Sequence, residues 1–240
     1  MFTPTETISA RRDAVLVFAD DVRQDLARRG WSRRFAGLLP LPALTPRTTG
    51  ADVHVFFGGE PGAVPRGVPR GVHAHRQQGD GFAARLCNAV ARLTASGYGR
   101  VVVVGRDVPG LRAADVRRAF AELNTHRLAL GPDQNGGCWL IGLHTADAAV
   151  LETVQWQCGR DFEQLRAAFG VPVVAVLPAR RDLSTPADLA IAAADACFAR
   201  LLERVLCRAR IAFARDAGVC LPPEHAFGRA AWQLPPPDLA

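Results

Sequence analysis

The chain has 240 residues, with 29 basic residues, all of them arginine, against 23 acidic ones, for a net charge of +6. That length is enough for one domain with a sizeable core, and no run of 18 apolar residues is present to span a bilayer. The arginines are spread along the chain in pairs such as Arg28-Arg29 and Arg117-Arg118 with few aromatics among them, which argues against a nucleic-acid groove, and the lack of lysine excludes a lysine-dependent phosphate loop.

Residues 1–13 are polar and lack the apolar centre of a signal peptide, so the expected location is the cytoplasm. The six cysteines are widely spaced, without a C-x-x-C pair, and read as reduced thiols.

In chain order, the apolar run Ala14 to Ala19 predicts a buried first strand ending in Asp20-Asp21. Val22, Leu26, Phe35, Leu38 and Leu39 among arginines predict one or two helical segments, broken at Gly30 and stopped by Pro40-Leu41-Pro42. Val53 to Phe57 is a second strand, and Glu60 to Gly71, rich in Gly and Pro, is a loop. Val72 to His75 predicts a short third strand. Asp80 to Ser96 has Phe82, Leu86, Val90 and Leu93 at helical spacing, with Asp80 as the simplest N-cap.

Arg100 to Val104 is a strand, and Arg112 to Asn124 a helix. Arg127 to Leu130 and Cys138 to Leu143 form two short strands around Gly131-Pro132-Asp133-Gln134-Asn135-Gly136-Gly137. A helix over Asp161 to Phe169, a strand over Val171 to Leu177 and a long helix from Thr185 to about Arg215 complete the alternation, with Thr185 and Asp188 as a capping pair. Strands alternating with helices predict a mainly parallel sheet with helices on both faces. Residues 1–215 read as a single α/β domain and residues 216–240 as a proline-rich tail.

Two polar tips follow apolar strands, where ligands bind in open α/β sheets. Asp107, after Gly105-Arg106, suits a divalent cation that holds a diphosphate; the plainer reading is a turn aspartate. Asp133 and Asn135 stand before Gly136-Gly137, which serve either close approach of a bound molecule or an ordinary hairpin. Asp182 is a candidate second metal or substrate carboxylate, and Arg85 either reaches an anion or pairs on the surface. His73 and His75 point the same way but have no third histidine near them in sequence, so a metal-free pair is the expectation. Trp139 either stacks on a base or packs in the core. No G-x-S-x-G elbow and no G-x-G-x-x-G turn is present.

Taken in order, Gln78-Gly79-Asp80-Gly81-Phe82 with Arg85-Leu86, Gly105 to Leu111, Gly131 to Leu143, Trp156 and Asp182 to Leu189 resemble a bacterial family of GT-A-type glycosyltransferase-like proteins. That family includes proteins assigned to arsenosugar biosynthesis and is related in fold to molybdopterin and phospholactate nucleotidylyltransferases. The resemblance implies a GT-A, Rossmann-like sandwich and a transferase using a nucleotide-activated donor, foremost a glycosyltransferase acting from a nucleotide sugar on a small-molecule acceptor. The alternatives are a nucleotidylyltransferase acting on a phosphorylated small molecule and a non-catalytic binding or scaffold member.

It further implies Asp107 and Asp133 as catalytic residues, Mg or Mn held by Asp107 and Asp182, and a donor pocket formed by Arg85, Gly105, Arg106, Asn135, Gly136 and Gly137. The chain departs from the family pattern at the first strand, where a basic, lysine-containing loop is replaced by Asp20-Asp21. Asn135 stands for a carboxylate, Cys138 and Trp139 for tyrosines, and Ser184 for an aspartate. Each lost carboxylate weakens attraction to a dication.

Overall fold

Val101 to Val104 alternate between two hydrophobic clusters: Val101 and Val103 join Leu16, Leu86 and Val90, while Val102 and Val104 join Val15, Val17, Val116 and Phe120. Successive strand residues face opposite sides, so an unbroken valine run fits only a strand covered on both faces. The computed structural model describes residues 12–31, 33–59 and 67–194, with a few further positions between 199 and 207.

The elements are β1 (Arg12–Ala19), α1 (Val22–Arg28), a 3-10 segment at Arg33–Leu38, α2 (Pro46–Thr49), β2 (Asp52–Phe57), β3 (His73–Arg76), α3 (Gly81–Ala95), β4 (Tyr98–Val104) and α4 (Ala113–Glu122). There follow β5 (Leu128–Pro132), β6 (Cys138–His144), a 3-10 segment at Thr145–Glu152, α5 (Asp161–Phe169), a 3-10 turn at Val171–Val173, β7 (Val174–Val176) and α6 (Pro186–Ala192).

These strands form one seven-stranded sheet in the order β3-β2-β1-β4-β6-β5-β7. β6 runs antiparallel to both its neighbours and every other pairing is parallel, as the sequence pattern predicts for a mainly parallel sheet. On one face α3 buries Leu86, Ala89, Val90 and Leu93, a three-and-four spacing that makes a single apolar stripe. On the other, α4 buries Val116, Ala119 and Phe120. Each fully buried aliphatic or aromatic side chain contributes about 1.5–3 kcal/mol relative to exposure.

A third, smaller cluster of Leu26, Trp31, Leu39 and Leu183 clamps α1 and the 33–38 segment against the chain that leads into α6. Asp21 starts α1 by accepting from the backbone N–H groups of Arg23 (2.9 Å) and Gln24 (3.2 Å). The helix ends with Arg28 in its last turn and Arg29 at the C-cap, where the negative end of the helix favours cations.

Three expectations change. The Val171 to Leu177 strand is only Val174–Val176, because Pro172 lacks a donor and Val171–Val173 coil into a 3-10 turn before pairing with β5 begins. The helix predicted from Thr185 to about Arg215 is interrupted: α6 ends at Ala192, residues 193–194 form a turn closed by Ala194 N–H to the Ile191 carbonyl (3.1 Å), helical positions recur between 199 and 207, and residues 195–198 and 208–215 lie outside the described residues. Asp80 occupies the N-cap position of α3 without a side-chain capping bond. The Thr185–Asp188 cap is present in both directions, at 2.7 and 3.4 Å. Residues 1–11 and the tail at 216–240 lie outside the described residues. Among the described residues no helix is long and apolar enough to cross a membrane.

Candidate functional site

From β1 the chain steps outward to β2 and β3, then returns over the sheet through α3 to place β4 on the other side of β1. The direction of strand addition reverses between β1 and β4. A crevice therefore opens at their carboxyl ends, the place where α/β sheets of this kind bind ligands. It is occupied by a cleft of about 360 Å³.

One wall is charged. Asp107 follows β4, and its Oδ1 folds back so closely over Gly105 that a Cβ there would come within 2.6 Å. Glycine at 105 is thus what allows this carboxylate position. Asp107 Oδ2 accepts from Arg29 Nη2 at 2.8 Å, and Arg29 Nη1 donates to the Leu183 carbonyl. The backbone closes the triangle, with Leu183 N–H donating to the Asp107 carbonyl at 2.8 Å. Asp25 lies 3.8 Å from Arg29 and is also paired with Arg28 at 2.6 Å. Burial pushes the Asp25 carboxyl up, and Arg29 and Arg28 pull it back.

Arg85 is not a loose surface cation. It donates to Asp20 at 2.6 Å and to Gln77 at 2.9 Å, while Gln77 is tied to the carbonyls of Ala19 and Phe56 at 3.1 Å each. Arg28 reaches Asp20 from the other side. Arg106 spends its donors on the carbonyls of Leu39 (2.9 Å from Nε) and Asp20 (3.0 Å), which pins the segment after α1 to the tip of β4.

The turn between β5 and β6 organises itself. Asp133 Oδ1 accepts from the backbone N–H groups of Asn135 (2.6 Å) and Gly137 (2.9 Å). Gly136 has φ +82°, and a Cβ there would collide with the carbonyl of Gly159, so the close approach is made by the chain's own loop. The amides of Gln134 and Asn135 donate to Asp182 Oδ1 at 2.9 and 3.1 Å, and the Ser184 hydroxyl donates to Oδ2 at 2.9 Å. Burial pushes the Asp182 carboxyl up, Ser184 opposes this, and the charges of Asp107 and Asp133 add to the rise.

These residues do not form an assembled divalent-metal site. Asp107 Oδ2 is held by a guanidinium, both Asp182 oxygens accept other protons, and among the described residues no three His, Cys, Asp or Glu side chains are grouped to hold an ion.

The other wall is apolar and aromatic. Phe82 packs edge-on to Phe18 with centroids 5.4 Å apart and against Trp156 at 5.5 Å, and the Trp156 indole donates to the Leu151 carbonyl at 2.9 Å. Cys138 borders this wall, its thiol pushed up by burial. Trp139 belongs to the core: it is 3% exposed, its indole donates to the Pro178 carbonyl at 3.2 Å, and Arg180 lies over its ring.

Of the residues expected at the site, Gly105, Arg106 and Asp107 line this cleft, whereas Arg85, Asp133, Asn135, Gly136, Gly137 and Asp182 are not among its lining residues; Asp25, Arg28, Arg29 and Phe18 line it without having been expected. The available signal was the Arg28-Arg29 pair one helix beyond the first strand, in a chain whose cationic work falls to arginine alone. Sequence reading also missed His54, which β2 brings beside His73 and His75.

Fold and cleft together define a protein of the nucleotide-diphospho-sugar transferase fold. A protein from Desulfovibrio desulfuricans G20, provisionally named a nucleotide-diphospho-sugar transferase, superposes with a TM-score of 0.65 at 23% identity, covering 86% of this chain and 98% of its own. Rv0371c from Mycobacterium tuberculosis H37Rv superposes at 0.54 with 19% identity over 78% of this chain and all of its own, and has also been solved with manganese. The 4-diphosphocytidyl-2C-methyl-D-erythritol synthase of Anaerococcus prevotii gives 0.53 at 10% identity, over 78% and 96%. Residues 43–158 match the model of the family described as Uncharacterized protein conserved in bacteria (DUF2064). No curated protein matches the sequence.

Proposed function

We propose that this protein is a transferase that binds a nucleotide-activated donor, foremost a nucleotide sugar, in the cleft at the ends of β1 and β4 and transfers its activated group to a small-molecule acceptor. The observation that carries the reading is the cleft's division at the strand-order reversal: arginines held by aspartates on one wall, aromatic side chains on the other. Flat rings stack on aromatic faces, and guanidinium groups match phosphate oxygens with paired donors. The fold relatives support the same class of chemistry.

In such a reaction negative charge builds on the departing diphosphate, so a cation held in place beforehand lowers the barrier. Arg29 is held by Asp107 and the Leu183 carbonyl, and Arg28 stands next to it with half of its side chain exposed. The nucleotidylyltransferase alternative has less support, because Asp21 already caps α1 and Asp20 occupies the turn where a triphosphate would need positive charge.

Thermal-shift screening against nucleotides and nucleotide sugars, with and without Mg²⁺ or Mn²⁺, tests the proposal. Stabilisation should follow RT ln(1 + [L]/Kd) for a nucleotide sugar. Release of pyrophosphate from a nucleoside triphosphate would instead identify a nucleotidylyltransferase, and no shift with any of these ligands would leave a binding or scaffold role.

A further inference from the structure

We propose that Arg29 takes the place of a divalent cation in this site: its guanidinium, fixed against Asp107 with Arg28 beside it, receives the diphosphate of the activated donor, and binding needs no metal ion. The inference rests on the donor-site reading above and names how that site holds its ligand.

Three observations converge on it. Arg29 Nη2 sits 2.8 Å from Asp107 Oδ2, so the carboxylate expected to recruit a dication already has a resident cation. Asp182, the second expected ligand, is hydrogen-bonded by Gln134, Asn135 and Ser184, three neutral groups that satisfy its oxygens without a metal. Finally, Arg29 Nη1 and Nη2 each carry two hydrogens and each makes one hydrogen bond among the described residues, so the guanidinium that borders the cleft keeps directed donors beyond those given to Asp107 and Leu183.

Position agrees with role. The side chain leaves the C-terminal end of α1, borders the cleft, and is 14% exposed, which keeps it rigid and poorly hydrated. Arg28, 50% exposed, shares Asp20 and Asp25 with its neighbours and can turn to a second phosphate without abandoning every partner. An arginine carries its charge at all working pH values and offers directed donors, whereas a dication would have to displace Arg29 from Asp107 first.

Isothermal titration of the full chain with inorganic pyrophosphate, once in EDTA and once in excess Mn²⁺, tests this. Affinity should agree between the two conditions within about threefold, and Arg29→Ala should weaken it at least about tenfold, the loss expected for a charge-assisted contact. In parallel, the free-ion Mn²⁺ EPR signal should be unchanged by stoichiometric wild-type protein. Pyrophosphate binding that appears only with Mn²⁺, or an Arg29→Ala protein that is folded and binds as tightly as wild type, overturns the inference. The first of these leaves the donor-site reading intact. Absence of binding by every nucleotide and nucleotide sugar in both conditions sinks that reading instead. Should Arg29→Ala not fold, the wild-type comparison between EDTA and Mn²⁺ decides alone.

Discussion

His54 Nδ1 lies 2.9 Å from His75 Nε2, near the amino-terminal end of the sheet and away from the cleft. The His73 ring stacks on His54 with centroids 4.8 Å apart. On its other side His54 Nε2 is 3.0 Å from the Tyr98 hydroxyl, whose proton goes to Asp52 at 2.8 Å. A hydroxyl with its proton committed can only accept, so His54 donates from Nε2 and its Nδ1 accepts from His75. Arg12 closes the chain by donating to Asp52 (2.6 Å) and Tyr98 (3.0 Å).

This arrangement makes stability depend on pH. Burial drives the His54 imidazole down to about 4, with His75, His73 and Arg12 pushing the same way and Asp52 opposing. His75 is lowered as well, by burial and by Arg92 and His73. Below pH 6.5 the unfolded chain binds a proton at His54 that the folded chain refuses, so stability falls as pH drops from 6.5 towards 4. By pH 5 the loss from this one group is about 2 kcal/mol. Urea midpoints at pH 7, 6 and 5 should show the decline, and His54→Phe should flatten it; equal slopes in the two proteins would discount the histidine cluster.

Removing the Asp107 carboxylate should abolish donor binding. Asp107→Ala strands Arg29, which then loses its orientation, and truncating one member of a partly buried charge pair costs about 2–5 kcal/mol in comparable interfaces. Calorimetry with the ligand found by the nucleotide-sugar screen is the check, and unchanged affinity would remove Asp107 from the site.

Asp133 should behave differently, because its geometry is that of a turn aspartate. Asp133→Ala removes the side-chain acceptor of two backbone N–H groups and should destabilise the fold by about 1–3 kcal/mol, whereas Asp133→Asn keeps an oxygen for both and should fold nearly as well. Full activity in Asp133→Asn would confine the residue to the turn; a well-folded but inactive protein would instead show that its charge takes part in the chemistry.

Gly131 is required by packing. A Cβ there would fall 2.6 Å from Trp139 Nε1 and 2.7 Å from Cζ2, and the indole cannot yield because Pro178 and Arg180 hold it. Gly131→Ala should lower stability by about 1–3 kcal/mol or more, read as a shift in the denaturation midpoint with little change in its slope.

Much of the fold was legible because its signals are local. The valine run at 101–104, the apolar run at 14–19 and the stripe of Leu86, Val90 and Leu93 each declare an element within a few residues. Composition alone misplaces elements where one residue breaks the pattern: Val171 and Val173 have strand composition, but Gly170 and Pro172 turn them into a 3-10 segment, and Asp80 has capping chemistry without a capping bond. The site was legible only in part. Gly105 and Asp107 sit two apart on one strand end, so their association is a matter of local geometry.

By itself the sequence determined an alternating α/β chain, the strand ends on which polar residues gather, and the exclusive use of arginine as cation. Only the tertiary structure decided that β4 lies against β1, that Arg29 crosses 78 positions to meet Asp107, and that His54 completes a cluster with His73 and His75. Periodicity and turn chemistry depend on neighbours in sequence, whereas strand order and the partner of a charged side chain depend on which distant surfaces bury each other. That choice turned a carboxylate expected to hold a metal into one that holds an arginine.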